Sequence, residues 1–365
     1  MEQLLYIVGE EYAGETGVAK KIRNEIKAFC ENGINSKIVY VKKLKKWKKA
    51  LPFSASFDWY HLQIPRQIQY IYIRYEPASY QFLRYLRLCR KNNPSAKIFA
   101  EIGTYPYIKE LEKLSNPLTI LRDKFYSRFL HKYIDKFVLF TEYESVYGVP
   151  AIYAVNSISV SDIVPPKRSA YRGDHIINVI AVTSVEFYYG YDRFLRGMQK
   201  YYQQKNIETK VYFHLVGNGT ELPALEKMAK NLQLNDYVKF YGFLSGEALD
   251  HIYELADIGL DVLGGHRKDE IFFGTLKSRE YMCKGIPFIT EYPLPKNISP
   301  IYKYILKVPT DESDIDINSV INFYNKVKTE ERKKVIENMR EFAMSYCDTS
   351  VAMIPIITAL REKKQ

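Results

Sequence analysis

The segment GTLKSRE at residues 274–280 combines features that suit the binding of a phosphate group. The pattern predicts a helix beginning near Leu276, whose free N–H groups and positive dipole end are available to an anion. Lys277 lies in the first turn of this helix and adds a full positive charge. Glu280 follows one turn later and can accept hydrogen bonds from hydroxyl groups. We predict a phosphate-binding site formed by Gly274, Thr275, Leu276, Lys277 and Glu280.

A second candidate is an acid at the end of a strand in the first half of the chain. The run AKIFAEI at 96–102 predicts a buried strand, so Glu101 lies near its carboxyl end, where α/β sheets bind ligands. We predict that Glu101 orients substrate hydroxyls and is a candidate for proton removal. The alternative is a structural hydrogen bond to its own loop. The other residues assigned to this substrate are Gly14, Arg74, Thr104 and Tyr105.

Glycines in loops after predicted strands let a backbone approach a ligand closely. They are Gly14 and Gly17 in AGETG, and Gly217 and Gly219 in VGNG. Simpler interpretations exist, because Thr16 can cap an ordinary helix and VGNG can make a tight turn. For Arg74 the simpler interpretation is an ion pair with Glu76.

These residues lie in a regular alternation of strand and helix patterns. Such alternation predicts parallel sheets covered by helices on both faces. The predicted strands are 4–9, 36–41, 68–75, 96–102 and 136–141, then 176–182, 211–219, 237–242, 257–263 and 287–292. The predicted helices are 18–32, 81–92, 119–134, 190–204, 222–232, 245–256, 276–285 and 350–364.

A polar segment with two prolines, residues 159–174, interrupts this rhythm before it restarts. It predicts two Rossmann-like, doubly wound parallel-sheet domains that face each other across a cleft. We place the first domain at 1–165 and the second at 166–345. A C-terminal helix at 346–365 is expected to pack back on the first domain.

Length and composition agree with two globular domains, since the chain has 365 residues, 47% hydrophobic and 26% charged. The four cysteines are far apart, which argues against a disulfide framework and for a reducing, cytoplasmic setting. The apolar runs are too short to span a bilayer, and acids come too early for a signal peptide. The acidic triplet 314–316 is interpreted as solvated surface, and no metal site is predicted.

The succession of motifs in the second half resembles a known family. HLVGNGTELPALEKMAKNLQLNDYVKFYGFLSGEALDHIYELADIGLDVL, followed by LKSREYMCKGIPFI, is similar to the C-terminal domain of GT-B glycosyltransferases of family 4, also called group 1. The resemblance covers residues 175–295, and it extends more weakly to the first domain. It implies a retaining, metal-independent transferase that uses a nucleotide sugar.

The resemblance also implies that domain 1–165 binds the acceptor and that domain 166–345 binds the nucleotide sugar, and it assigns roles to single residues. Glu280 occupies the position of a glutamate that binds the ribose hydroxyls, and Phe243 lies in the loop that contacts the base. The loop with Gly14 and Gly17 borders the donor phosphate and the acceptor. For Phe243, packing in the core is the alternative.

This sequence departs from the family pattern at three positions. Phe272 stands where the family has a first glutamate, with Glu270 two residues too early. The usual arginine and lysine after the first C-terminal strand are replaced by Ser184 and Tyr189. The positive charge opposite the diphosphate must then come from other side chains. The candidates are Lys277, which would stabilise the leaving group, Arg267, which we assign to the donor, and also His266 and Arg193.

Basic charge is concentrated in the first half, where residues 1–165 carry 25 Lys and Arg against 16 Asp and Glu. VKKLKKWKKALPF at 41–53 holds six lysines, all of them within the stretch Lys42–Lys49. With the basic amphipathic segment 119–134 it predicts contact with an anionic membrane surface. The alternative is a lysine-rich surface loop and a helix packed in the core.

We therefore expect a hexosyltransferase that uses a UDP- or GDP-linked sugar and needs no further cofactor. Its acceptor would be a glycan or lipid-linked saccharide in surface polysaccharide biosynthesis. The enzyme would be cytoplasmic, with peripheral attachment to the inner face of the cell membrane, and no nucleic acid is expected as a partner. Two alternatives stay open: a GT-B nucleotide-sugar epimerase, and a non-catalytic module that binds nucleic acid or assembles complexes through its basic half.

Overall fold

The computed structural model describes residues 2–14, 16–44, 56–114, 117–168, 170–171, 173, 175–268 and 274–363. The chain forms two compact units. Unit 1 comprises Met1–Ser159 and Asp348–Gln365, and unit 2 comprises Val160–Cys347. The boundaries between the units lie after residues 159 and 347, whereas the sequence predicted domain boundaries after residues 165 and 345.

Unit 1 contains a seven-stranded sheet in the order β2-β1-β3-β4-β5-β7-β6. All of its neighbouring strands are parallel except the short β6–β7 pair. The strands are β1 (Glu2–Gly9), β2 (Ile34–Val41), β3 (Tyr70–Arg74), β4 (Lys97–Ile102), β5 (Lys136–Leu139), β6 (Ser145–Val146) and β7 (Val149–Tyr153). The helices are α1 (Gly17–Glu31), α2 (Tyr80–Asn92), α3 (Ile108–Leu114), α4 (Pro117–Tyr126) and, from the chain's end, α11 (Thr349–Ala352) and α12 (Ile354–Arg361).

Unit 2 contains a six-stranded, fully parallel sheet in the order β10-β9-β8-β11-β12-β13. Its strands are β8 (Ile176–Val182), β9 (Lys210–Val216), β10 (Val238–Phe240), β11 (Ile258–Leu260), β12 (Phe288–Thr290) and β13 (Ile305–Lys307). Its helices are α5 (Tyr191–Tyr202), α6 (Leu222–Asn231), α7 (Gly246–Leu255), α8 (Leu276–Lys284), α9 (Ile317–Val327) and α10 (Arg332–Tyr346). The predicted α/β class with two Rossmann-like sheets is confirmed.

The burial of the strands on both faces explains why they could be recognised in the sequence as short apolar runs. Residues Leu4 to Val8 of β1 are all buried, as expected for a strand covered on both faces. Two predicted helices are wrong in extent, because both are divided. Segment 119–134 becomes α4 and a 3₁₀ turn at Ser127–Lys132, while 350–364 becomes α11 and α12.

The C-terminal segment lies on unit 1 through charged contacts. Arg361 pairs with Glu2 at 2.9 Å, and the Lys136 ammonium lies 2.9 Å from the Glu362 carboxylate. Within the described ranges, the structure contains no helix of the length and apolar character that a membrane span requires.

Candidate functional site

The predicted nucleotide helix, α8, begins next to the carboxyl ends of β11 and β12. Thr275 caps it, since its hydroxyl accepts a hydrogen bond from the Ser278 N–H at 3.1 Å. The same hydroxyl donates to the carboxylate of Asp261, which directly follows β11 and is fully buried. Thr290, the last residue of β12, donates to the other oxygen of Asp261 at 3.2 Å. Burial raises the pKa of Asp261. The start of α8 is thus tied to two strand ends.

Lys277 lies in the first turn of α8 and is largely buried, with 8% of its surface exposed. Its Nζ lies 3.4 Å from the centre of the Tyr189 ring and 3.5 Å from the Thr183 hydroxyl, just after β8. Burial opposes ionisation of Tyr189, but the charge of Lys277 and hydrogen bonds with Thr183 and Ser184 outweigh it and lower the Tyr189 pKa. A positive charge is therefore held at the carboxyl end of β8.

The other predicted residues of α8 lie close by. Glu280 is half-buried one turn after Lys277, and Gly274, just before the cap Thr275, is buried. Burial, together with the charge of Glu280, raises the pKa of the Tyr253 hydroxyl on α7. Leu276, the first residue of the helix, is half-buried.

Gly217 and Gly219 are required by packing between two loops. A Cβ on Gly217 would lie 1.7 Å from the Thr183 carbonyl oxygen, and one on Gly219 would lie 2.0 Å from that of Val185. Gly217 also has a φ of +127°, which side chains rarely adopt. The simpler interpretation, a tight turn, accounts for both glycines without a ligand.

Phe243 follows Gly242 after β10 and is 65% exposed. The alternative prediction for Phe243, packing in the core, is therefore wrong. An exposed aromatic ring at a strand end suits stacking on a flat base.

The other predicted cations are engaged by carboxylates of unit 2. Arg267 donates to Asp192 at 2.8 and 2.9 Å, and to Glu312 at 2.7 and 2.5 Å. Against the effect of burial, these carboxylates raise the pKa of Arg267 above its usual range. For Arg267 to bind a diphosphate, these pairs would have to break.

His266 and Arg193 are engaged in the same way. His266 lies 2.9 Å from both Glu291 and Glu312, and Arg193 is fully buried against Glu291 at 3.1 Å. Lys277 differs from these three predicted cations, because its ammonium packs against the Tyr189 ring at the end of β8.

Glu101 is fully buried in unit 1 and is surrounded by protein donors. It accepts from Lys21 Nζ at 2.9 Å, from Arg74 at 2.5 Å and from the Tyr72 hydroxyl at 2.8 Å. Burial raises its pKa, but Lys21 and Arg74 more than offset this, so the pKa of Glu101 lies below the usual value. The Glu101 carboxylate is fully buried and hydrogen-bonded within unit 1, which contradicts the prediction that it faces a substrate.

Two residues of this buried network, Lys21 and Glu25, were missed by sequence reasoning. Lys21 Nζ lies 2.6 Å from Glu25, whose carboxylate accepts from the Tyr6 hydroxyl at 2.6 Å. Burial and the charge of Glu101 raise the pKa of Glu25. The available signal was a Lys–Glu pair spaced i,i+4 on the otherwise apolar face of α1.

Arg74 pairs with Glu101, where the sequence alternative had proposed Glu76. Its guanidinium lies 5.0 Å from the Tyr12 ring, and a Cβ on Gly103 would lie 2.7 Å from one of its nitrogens. With 13% of its side chain exposed, Arg74 retains limited access to solvent.

The predicted acceptor loops of unit 1 lie at strand ends. Gly14 is exposed, has a φ of −85°, and a Cβ there would meet nothing within 4 Å. Thr16 caps α1 by accepting from the Ala19 N–H at 3.2 Å, so Gly17 is the first helical residue. Thr104 and Tyr105 follow β4 and are half-buried, and the Tyr105 ring packs edge-on against Tyr143 at 5.0 Å.

Known proteins resemble this chain in part of its sequence and in its fold. Residues 172–260, the part of unit 2 that runs from before β8 through β11, match the family described as glycosyl transferases group 1. No curated protein matches the chain.

Three solved structures match almost the whole chain. Sucrose-phosphate synthase from Thermosynechococcus elongatus has 14% identity and a TM-score of 0.68, over 99% of this chain and 98% of that one. HepE from Anabaena in complex with UDP-glucose has 11% identity and a TM-score of 0.60, over 98% and 99%. A glycosyltransferase from Rickettsia africae has 11% identity and a TM-score of 0.61, over 99% and 98%. The chain therefore has the GT-B fold, and residues 172–260 of its second unit are similar to group 1 glycosyltransferases.

Proposed function

We propose that this protein is a retaining glycosyltransferase that moves a hexose from a nucleoside diphosphate sugar to an acceptor hydroxyl. The observation that carries the proposal is the start of α8, where Lys277 and the helix N-terminus lie together at the carboxyl edge of a Rossmann-like sheet. Ligands of such sheets bind at this edge. The match of residues 172–260 to group 1 transferases supports the same reaction class.

The donor proposed here is a UDP-linked hexose, with GDP as the second candidate. The similar Anabaena protein binds UDP-glucose. In our proposal the diphosphate lies at the start of α8 beside Thr275 and Lys277, Glu280 accepts from the ribose hydroxyls, and Phe243 stacks on the base. Gly217 and Gly219 let the loop after β9 pack closely against the loop after β8, which forms part of this site.

Transfer requires that the leaving diphosphate be stabilised as its negative charge develops. Lys277 and the N–H groups at the start of α8 supply preorganised positive charge for this purpose. We propose that this charge is sufficient without a metal ion. Addition of EDTA would then leave turnover unchanged, whereas a loss of turnover restored by Mg²⁺ would contradict this part.

The acceptor proposed for unit 1 is a glycan or lipid-linked saccharide of surface polysaccharide synthesis. Gly14, Thr104 and Tyr105 are its candidate contacts, and Arg74 is a further one through its exposed edge. Glu101 is left out of the reaction, because its carboxylate is buried and bonded to Lys21, Arg74 and Tyr72.

A lipid-linked acceptor would bring the enzyme to the inner face of the cell membrane, and one face of α4 suits that contact. Leu118, Leu121 and Phe125 are 54%, 64% and 53% exposed, which argues against the alternative of a core-packed helix. The basic residues Lys124, Arg128 and Lys132 are also exposed, and their positive charges suit contact with anionic lipid. Of the lysine-rich stretch Lys42–Lys49, residues 45–49 lie outside the described residues.

The first test is nucleotide binding. Thermal shifts with UDP, GDP, ADP and CMP are expected to show stabilisation by one diphosphate, reduced sharply in Lys277→Ala and Glu280→Ala. No response to any of the four would count against the enzyme. Mass analysis of products from a donor panel with lipid-linked acceptors then separates transfer from epimerisation of the donor.

The second test is flotation with vesicles of anionic and of zwitterionic lipid. Binding to the anionic vesicles is expected to fall in Leu121→Glu/Phe125→Glu. Ile354→Glu is the matched control, since Ile354 is 55% exposed on α12. Equal loss in both variants would contradict a membrane contact through α4. Salt-sensitive binding to oligonucleotides instead of vesicles would favour the alternative of a nucleic-acid module.

A further inference from the structure

Tyr189 lies in the loop after β8, and the structure places a lysine of α8 against its ring. Lys277 Nζ lies 3.4 Å from the centre of that ring, within the range of a cation–π contact. The contact is partly desolvated, because Lys277 is only 8% exposed and Tyr189 is half-buried. Such contacts are stronger when desolvated.

The backbone of Tyr189 is fixed by its neighbours, and its ring is packed against another ring. The Leu263 N–H donates to the Tyr189 carbonyl at 2.9 Å, and the ring stacks on Tyr191 at 5.8 Å. The next residue, Gly190, has a φ of +68°, and a Cβ there would lie 2.5 Å from the Leu263 carbonyl carbon. The ring is therefore a rigid support, whereas a lysine side chain has four rotatable bonds.

We propose that Tyr189 is a positioning residue that holds the Lys277 ammonium at the diphosphate end of the donor site. This inference rests on the proposed nucleotide site at α8. The positive charge reaches the site from α8, and the aromatic ring that holds it comes from the loop after β8. Without the ring, Lys277 would adopt other rotamers, and part of its binding contribution would be lost as entropy.

The test is calorimetric binding of UDP and of uridine to wild type, Tyr189→Phe and Tyr189→Leu. Tyr189→Phe keeps the aromatic face and is expected to bind UDP within twofold of wild type. Tyr189→Leu removes that face and is expected to weaken UDP binding about five- to thirty-fold. Uridine carries no phosphate, so its affinity is expected to stay unchanged in both variants.

Two comparisons separate positioning from general damage. Tyr237→Leu is the matched control, since Tyr237 is a half-buried aromatic residue of unit 2 stacked on Tyr202 at 3.7 Å, before β10. In a Lys277→Ala background, Tyr189→Leu is expected to cause no further loss of UDP affinity. Equal weakening of UDP and uridine, or additive losses in the double variant, would overturn the proposal.

The outcomes also distinguish this inference from the proposed function. If wild type binds UDP and Lys277→Ala weakens that binding, but Tyr189→Leu does not, only the role of Tyr189 is refuted. If wild type binds no nucleoside diphosphate, the donor site itself is refuted, and the inference is refuted with it.

Discussion

Replacing Glu101 by glutamine is expected to destabilise unit 1 and not to disable chemistry directly. The substitution keeps the side-chain volume but leaves the buried cations Lys21 and Arg74 without their shared carboxylate. Removing one partner of a buried ion pair costs about 3–5 kcal/mol. Lys21 retains Glu25 at 2.6 Å, and Arg74 has 13% exposure through which to reach water. We therefore expect the lower end of that range, about 3 kcal/mol.

Urea unfolding followed by tryptophan fluorescence measures this effect in the correct unit. Of the two tryptophans in the sequence, Trp47 and Trp59, Trp59 is buried in unit 1 and reports on its unfolding. A loss of about 3 kcal/mol corresponds to a midpoint roughly 1–2 M lower in urea. Glu31→Gln is the matched control, because Glu31 on α1 is 59% exposed and lies 3.9 Å from Lys27. It is expected to change stability by less than about 0.5 kcal/mol.

The effect of Glu101→Gln should also depend on pH. The folded pKa of Glu101 lies below its ordinary value of 4.5, so its stabilising contribution is complete above that pH and disappears as the pH falls through the folded value. The difference between wild type and Glu101→Gln is therefore expected to shrink on acidification below 4.5. An unchanged urea midpoint combined with lost turnover would refute this reasoning and return Glu101 to a catalytic role.

Three further predictions test the remaining assignments. Gly217→Ala is expected to destabilise unit 2 by about 2 kcal/mol or more because of its φ and the Thr183 carbonyl, whereas Gly14→Ala stays within about 1 kcal/mol in urea unfolding. Arg267→Met is expected to lower the melting temperature, because Asp192 and Glu312 lose this cation. Its UDP affinity, measured by calorimetry, is expected to stay within twofold of wild type, and a larger loss would make Arg267 a donor contact. Phe243→Ala is expected to leave the melting temperature unchanged and to weaken UDP binding by about 1–3 kcal/mol, and equal affinity would exclude base stacking.

The fold was readable from sequence because its signals are local. Buried parallel strands appear as short apolar runs such as LLYIVG, and their alternation with helical patterns fixes the sheet type. The division of 119–134 after Tyr126 was not readable. Asp123 within α4 is bonded to Tyr75, Tyr107 and the Ala78 N–H, partners 16 to 48 residues away, and these tertiary contacts fix the helix on unit 1.

The same distinction explains why the start of α8 could be predicted and the partners of Glu101 and Arg267 could not. The start of α8 depends on Thr275 as a cap and on helix geometry, both of which lie within a few residues. The position of Glu101 depends on Lys21, 80 residues earlier, and on Arg74, 27 residues earlier. Arg267 depends on Asp192, 75 residues earlier. A charged residue shows its chemistry in the sequence, but its partner is decided by the fold.

The glycines extend this reasoning to the backbone. Gly217 and Gly219 are explained by carbonyl oxygens of the adjoining loop, so their presence carries no information about a ligand. Gly14 differs, because its φ is ordinary and the space beside its Cα is open, so the fold tolerates any small side chain there. A glycine that packing does not require is better explained by what must approach it. Gly14 is therefore the stronger candidate for contact with a substrate, although all three glycines occur in the same sequence pattern, a loop that follows a strand.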